Sequence, residues 1–254
     1  MARTRKTEPT RAAWGDEPSQ EHFSPVTENY LLSLYKLWED SEIPTVTQLT
    51  DALKQLPPTE GLGTSVPSVA GMIRRMQKLG LVDLGPDKRI RLTRKGLEGG
   101  EDIARRHRLA EWLVVRLLGM ELQRAHIEAH RLEHGMSREF EARLTECLDN
   151  PQKSPFGRPI PGAGQPKVPA NALTLDKAAL NTRYVVERVP EEDYKLIGFL
   201  AEAAITPEHQ ITVVEATPYL GVLLVATEKD RVSIGYNVAR QILVVPPAIL
   251  NSAE

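Results

Sequence analysis

The stretch "DNPQKSPFGRPIPGAGQPKVPANALT", residues 149–174, constrains this chain most, because it is rich in proline and glycine and follows neither a helical nor a strand period. It marks a domain boundary between two textures. Before it, apolar residues recur at helical spacing. After about residue 180 come short β-rich runs separated by turns, "TRYVVERV", "QITVVEA", "GVLLVAT", "RVSIGY" and "QILVV", with one helical stretch near "EEDYKLIGFLAEA". The fold class expected is mainly α with a C-terminal β domain, the latter a small β-barrel. The stretch itself is expected to be a linker, or an extended segment lying on a neighbouring surface.

The N-terminal half resolves further. In "SPVTENYLLSLYKLWED", Ser24 can cap a helix, Pro25 suits its first turn, and Leu31, Leu34, Tyr35 and Trp38 form a buried stripe that leaves Asn29 to one side. "VTQLTDALKQL" repeats the pattern through Val46, Leu49, Leu53 and Leu56 until "PPTEGLG" breaks it. A third helix, "SVPSVAGMIRRMQKLG", turns Val69, Ile73 and Met76 inward and Arg74, Arg75 and Lys78 outward, with Gly80 as its stop. Two short β-rich runs around Gly85-Pro86-Asp87 then read as a hairpin. Three helices and a hairpin make a winged helix-turn-helix.

The chain of 254 residues carries a formal charge of −2, so a nucleic-acid surface has to be local. It is found between Ser68 and Gly100, where eight Lys/Arg face three Asp/Glu. On a single helix such residues would be only its solvated side. In the order helix, turn, helix, wing they form an electrostatic footprint for phosphates. The start of the third helix, Thr64, Ser65, Pro67, Ser68 and Gly71, is then expected in the major groove, with Arg74, Arg75 and Lys78 on the backbone. Cys147 is the only cysteine, which excludes an intrachain disulfide and a cysteine-based zinc cluster and fits a reducing cytoplasm. Its simplest role is helix packing. The opening residues lack the apolar run of a signal peptide and read as a polar, flexible tail; no later segment could span a bilayer.

From Thr93 the chain is helical again, and "LQRAHIEAHRLEHGMSREFEARLTECL" is expected as one long helix. Its apolar stripe is Ala125, Ala129, Leu132, Met136, Phe140 and Leu144. Beside it His126, His130 and His134 climb a polar stripe, expected to be exposed, with Glu133 in register. His107 and Glu111 sit four apart on the preceding helix. One histidine on a helix is ordinarily a satisfied residue, but two such groups on consecutive helices suit a divalent metal. Two competitors use the same letters. His130-Arg-Leu-Glu133-His134 satisfies the H-x-x-E-H pattern of inverted zinc peptidases, and a helical bundle could carry the histidines incidentally. A peptidase would need an open coordination position and a substrate cleft, whereas here the pattern follows a DNA-binding module directly.

Taken together, "VTENYL", "RMQKLGLV", "HRLAE", "HIEAHRLEHGMS" and "SPFGRPIPG" resemble the diphtheria-toxin-repressor family of iron- and manganese-dependent transcriptional regulators, in its three-domain form. The resemblance implies a flexible tail (residues 1–24), a winged helix-turn-helix (25–96), a helical dimerisation and metal domain (97–150), a linker (151–180) and an SH3-like barrel (181–254). It implies a cytoplasmic homodimer that binds double-stranded operator DNA with Mn2+ or Fe2+ as corepressor at two sites per chain, and neither a membrane nor a small organic substrate as partner. By the same resemblance the regulatory site maps onto Asn29, His130, Glu133 and His134. The ancillary site maps onto His107, Glu111 and His126, with Glu191 chosen over Glu192 as the acidic ligand from the barrel. The chain departs from the family pattern at Asn29, where methionine or aspartate is common, and at His130, where cysteine or glutamate is common. This leaves a nitrogen-rich set without sulfur. It departs also at Gly71, where some relatives carry glutamine, and at "PPTEGLGT", which looks like an insertion.

Overall fold

The computed structural model describes residues 23–54, 62, 63, 65–164 and 168–247. The tail expected over residues 1–24 lies almost wholly outside these, as do Leu56, most of the break after the second helix, and Thr64.

Helix α1 (Pro25–Glu39) starts where Ser24 accepts from the Thr27 amide, α2 (Val46–Leu53) where Thr45 and Gln48 form a capping box, and α3 (Val66–Lys78) where Ser65 accepts from the Ser68 amide. Strands β1 (Val82–Leu84) and β2 (Ile90–Leu92) pair antiparallel as the wing, with Leu84 opposite Ile90. Leu31, Leu34, Tyr35, Leu49, Leu53, Val69, Ile73 and Met76 share one core with Ile103 and Ala104 of the next helix. Trp38 is only half-buried at its margin. Asn29 lies off the apolar stripe, yet it is 1 % exposed, because α1 is covered on more than one side.

Helix α4 (Arg94–Trp112), capped by Thr93, runs into a π-helical turn at Leu113–Leu117. The long helix expected next is instead two. Helix α5 (Leu122–Leu132) passes into a 3-10 turn (Glu133–Gly135), and α6 (Arg138–Cys147) starts afresh where Ser137 accepts from the Phe140 amide. The physical reason is local: extended Met136 interrupts the ladder and Ser137 offers a better cap than a helix interior would allow. Leu132 and Phe140, expected inward, are 39 % and 47 % exposed. Cys147, expected to pack, is exposed at the end of α6.

The Pro/Gly-rich stretch is a segment packed on neighbouring surfaces rather than a free tether. Phe156 is fully buried in the C-terminal core and Ile160 in the core of α4, α5 and α6. Six strands follow, β3 (Leu173–Thr174), β4 (Arg183–Arg188), β5 (Gln210–Thr217), β6 (Val222–Ala226), β7 (Arg231–Gly235) and β8 (Leu243–Val245), forming one antiparallel sheet in the order β3-β8-β4-β5-β6-β7. Helix α7 (Tyr194–Glu202) lies between β4 and β5 in sequence and packs on α5; a short α8 (Tyr236–Ala239) precedes β8. The sheet's core therefore includes Val114 and Ala125 from the helical half. This packing brings the loop before α7 against the histidine-bearing helices.

Candidate metal centre

Two helices, a 3-10 turn and a loop converge on a buried polar cluster. From α4 come His107 and Glu111, from α5 His126 and His130, from the turn after it Glu133 and His134, and from the loop before α7 Glu191. All except His134 are at most 2 % exposed, so the polar stripe expected to face solvent is interior. The ring centroids of His107, His126 and His130 lie 4.6–4.8 Å apart. Single residues of this kind are costly to bury, so the cluster needs internal compensation.

Part of that compensation is hydrogen bonding. With its proton on Nδ1, His107 donates to Glu133 Oε2 at 2.5 Å, while Glu133 Oε1 lies 3.2 Å from His130 Nδ1 and 3.5 Å from His134 Nε2. His107 Nε2, Glu111 Oε1 and His126 Nδ1 form a triangle with sides of 3.0, 3.1 and 3.3 Å. Such edges follow when three ligands sit about 2.0–2.2 Å from one ion at roughly right angles. His107 Nε2 then offers only a lone pair toward the Glu111 carboxylate, and His126 has one Nδ1 position to serve both. Glu111 Oε2, His126 Nε2, His130 Nε2 and Glu191 Oε2 are buried without a hydrogen-bond partner. These nitrogen and oxygen atoms fit a divalent cation. Two overlapping groups have donor atoms within 4.8 Å of one another: His107, His126 and His130, and His107, Glu111, His126 and Glu191.

Electrostatics agrees with that fit. Burial holds His107 below its usual range and pushes His126 down to about 4 and His130 to about 3, so the rings are neutral ligands at neutral pH. Burial raises Glu111. Burial also opposes ionisation of Glu191, but Lys36 and Arg158 outweigh it and keep that carboxyl well below the usual carboxylate range.

Several participants escaped the sequence reading. Glu28 of α1 is 3 % exposed and accepts from His134 Nδ1 at 2.5 Å. Its other oxygen accepts from Arg106 at 2.7 Å, and Arg106 also donates to the Glu133 carbonyl at 2.8 Å. This closed ring ties α1 to the turn that carries Glu133 and His134, as outer partners of metal ligands commonly do. Asn29 sits beside Glu28 in the chain. Lys36, further along α1, bonds Glu191 and lies 2.8 Å from Glu192. Glu28 reads in sequence as an acid matching the helix N-terminus, and Lys36 as one lysine at the edge of an apolar stripe; neither signal points to a site.

At the start of α3 and along it, Ser65, Pro67 and Ser68 are exposed, Gly71 is half-buried, and Arg74, Arg75 and Lys78 are exposed and make no ion pair among the described residues. The rest of the basic patch is partly spent. Arg91 pairs with Asp87 at 2.6 Å, Arg94 with Glu98 at 2.9 Å, and Arg89 bonds the Ile43 carbonyl.

A winged helix-turn-helix whose first helix docks on a buried imidazole and carboxylate cluster defines a metal-responsive DNA-binding regulator. Comparison with known proteins gives the family. Residues 22–90 match the iron dependent repressor N-terminal DNA binding domain, residues 93–162 the iron dependent repressor metal binding and dimerisation domain, and residues 173–246 the FeoA domain. The iron-dependent repressor IdeR of Mycobacterium tuberculosis (strain ATCC 25618 / H37Rv) is 34% identical over 231 residues, covering 86% of this chain and 96% of the relative. The diphtheria toxin repressor of Corynebacterium diphtheriae is 37% identical over 136 residues, 54% of this chain and 56% of the relative. A solved manganese-dependent transcriptional repressor in complex with manganese superposes with a TM-score of 0.72 at 28% identity, covering 87% of this chain and 99% of that one. The chain belongs to the iron- and manganese-dependent repressor family, whose members are DNA-binding transcriptional regulators and not enzymes. The zinc-peptidase alternative has no support in these comparisons.

Proposed function

We propose that this protein represses transcription by binding operator DNA as a two-fold homodimer when Mn2+ or Fe2+ fills two sites per chain. The observation that carries the reading is the burial of the donor set between α1, α4, α5 and the loop before α7, with unmatched lone pairs turned inward. The regulatory set is Asn29, His130, Glu133 and His134; the ancillary set is His107, Glu111, His126 and Glu191. A bound divalent ion supplies two positive charges and directional bonds to imidazole and carboxylate. The chain's own residues do the rest. His107 keeps Glu133 oriented, Glu28 and Arg106 hold the His134 turn against α1, and Asn29 presents the reading module to that turn.

Thr64, Ser65, Pro67, Ser68 and Gly71 are assigned to the major groove, and Arg74, Arg75 and Lys78 to phosphates. Leu117, Leu118, Leu132 and Phe140 of the helical half are each exposed, apolar surface that pairing with a second copy would cover. A dimer must hold its two α3 helices about 34 Å apart to meet successive turns of the major groove. Among the described residues no helix is long and apolar enough to cross a membrane; a cytoplasmic location fits a DNA-binding regulator. The test is retardation of genomic promoter fragments across a metal series. Shifts with Mn2+ or Fe2+ that vanish with chelator are expected, and equal retardation with chelator would overturn the reading.

A further inference from the structure

One buried cation touches the donor cluster without belonging to it. Lys36 of α1 is 8 % exposed; its ammonium group bonds Glu191 Oε1 and lies 2.8 Å from Glu192 Oε1, its only acidic partners among the described residues. The other Glu191 oxygen has no hydrogen-bond partner, and Glu191 groups with His107, Glu111 and His126. One carboxylate thus serves two claims: one oxygen is committed to a side chain of the reading module and the other has no partner, while the group as a whole lies with the ancillary donors. Arg158 also approaches Glu191, at 3.5 Å, but its guanidinium is drawn off by Asp40 at 3.1 Å and Glu39 at 3.5 Å.

An ammonium and a dication drawing on one carboxylate repel each other, and in a dry interior that repulsion is screened far less than at a surface. We propose that Lys36 sets the metal threshold of the ancillary set, weakening its hold on a divalent cation by an amount that depends on where α1 sits. The inference rests on the assignment of His107, Glu111, His126 and Glu191 given above. Its consequence is reciprocal: an arrangement of α1 that draws the ammonium away from Glu191 tightens the site, and a filled site favours that arrangement. A purely orienting lysine, holding Glu191 in place for the ion, would have the opposite sign, because its loss would loosen binding.

The experiment is a Mn2+ titration of the full-length protein, following the free aqua ion by electron paramagnetic resonance to count bound ions and rank their affinities. Glu111→Gln identifies which class of site is the ancillary one. In Lys36→Met and Lys36→Gln that class is expected to bind at least about tenfold tighter, the scale on which outer partners tune metal sites. Lys36→Arg, which keeps the charge, is expected to stay close to wild type. A damaged fold cannot produce a gain in affinity, so tightening isolates the charge effect. Unchanged or weaker binding in Lys36→Met would overturn the inference alone, provided the wild-type chain takes up two ions. A wild-type chain that takes up no Mn2+ would remove both this inference and the function beneath it.

Discussion

Glu133 meets three histidines, His107 at 2.5 Å, His130 at 3.2 Å and His134 at 3.5 Å, with no exposed surface of its own. Glu133→Ala is therefore expected to abolish metal-dependent operator binding and also to destabilise the chelated protein. The His107 Nδ1 proton would lose its buried acceptor, a loss that costs about 1–3 kcal/mol. Urea unfolding in the presence of chelator measures the second effect and a gel shift the first; full stability in Glu133→Ala would contradict the burial described. The lowered histidines carry a pH prediction. Unfolded, each imidazole binds a proton near pH 6.5, while His126 and His130 in the fold resist protonation down to about 4 and about 3. Between those limits the unfolded state holds more protons, so stability of the metal-free protein falls as pH falls, by about 1.4 kcal/mol per pH unit for each such histidine. His130→Gln should flatten that dependence in urea melts at pH 7 and pH 5. The sequence shows which histidines are involved but not their burial, because the covering loop and α7 lie more than 50 residues further along.

Among the elements, those built on local signals were legible. α1, α2, α3 and the wing follow from Ser24 and Pro25 at the first helix start, from the 3.6-residue recurrence of buried side chains and from the Gly85-Pro86-Asp87 turn, and the structure adds Thr45 and Ser65 as the caps of α2 and α3. The break between α5 and α6 was not, because Met136 and Leu144, both buried, keep helical spacing across it and hide the interruption. Ser137, a residue suited to an N-cap, is the one local signal that could have marked it. Ser137→Ala is expected to cost about 1 kcal/mol of stability through loss of the α6 cap, readable as a lowered denaturation midpoint. On α3, Arg75→Ala is expected to weaken DNA binding across sequences and to reduce the salt slope by about one, as for a phosphate contact. An unaltered slope in fluorescence-anisotropy titrations would take Arg75 off the DNA backbone.

For the whole molecule, the proposed donor set, with Asn29 from the reading module beside ligands from α4, α5 and the loop before α7, would make the position of that module and the filling of the site one equilibrium. Operator DNA is then expected to tighten metal binding by the same factor by which metal tightens operator binding, on the order of 1–3 kcal/mol. Metal titrations with and without a saturating operator duplex measure it directly, and identical affinities would dissolve the coupling. Glu191 as the choice over Glu192 rested on resemblance alone, and only packing of α7 against α5 brings it beside His107, Glu111 and His126.

The stretch between the two textures has a mechanical consequence. Phe156 is seated in the C-terminal core and Ile160, four residues on, in the helical core, so the two are riveted together at points no more than about 14 Å apart along the backbone. A strap that short leaves no slack for the sheet to swing like a lid. Glu191 is thus held at the histidines by a strap anchored in both cores, and the switching proposed above assigns its travel to the reading head rather than the sheet.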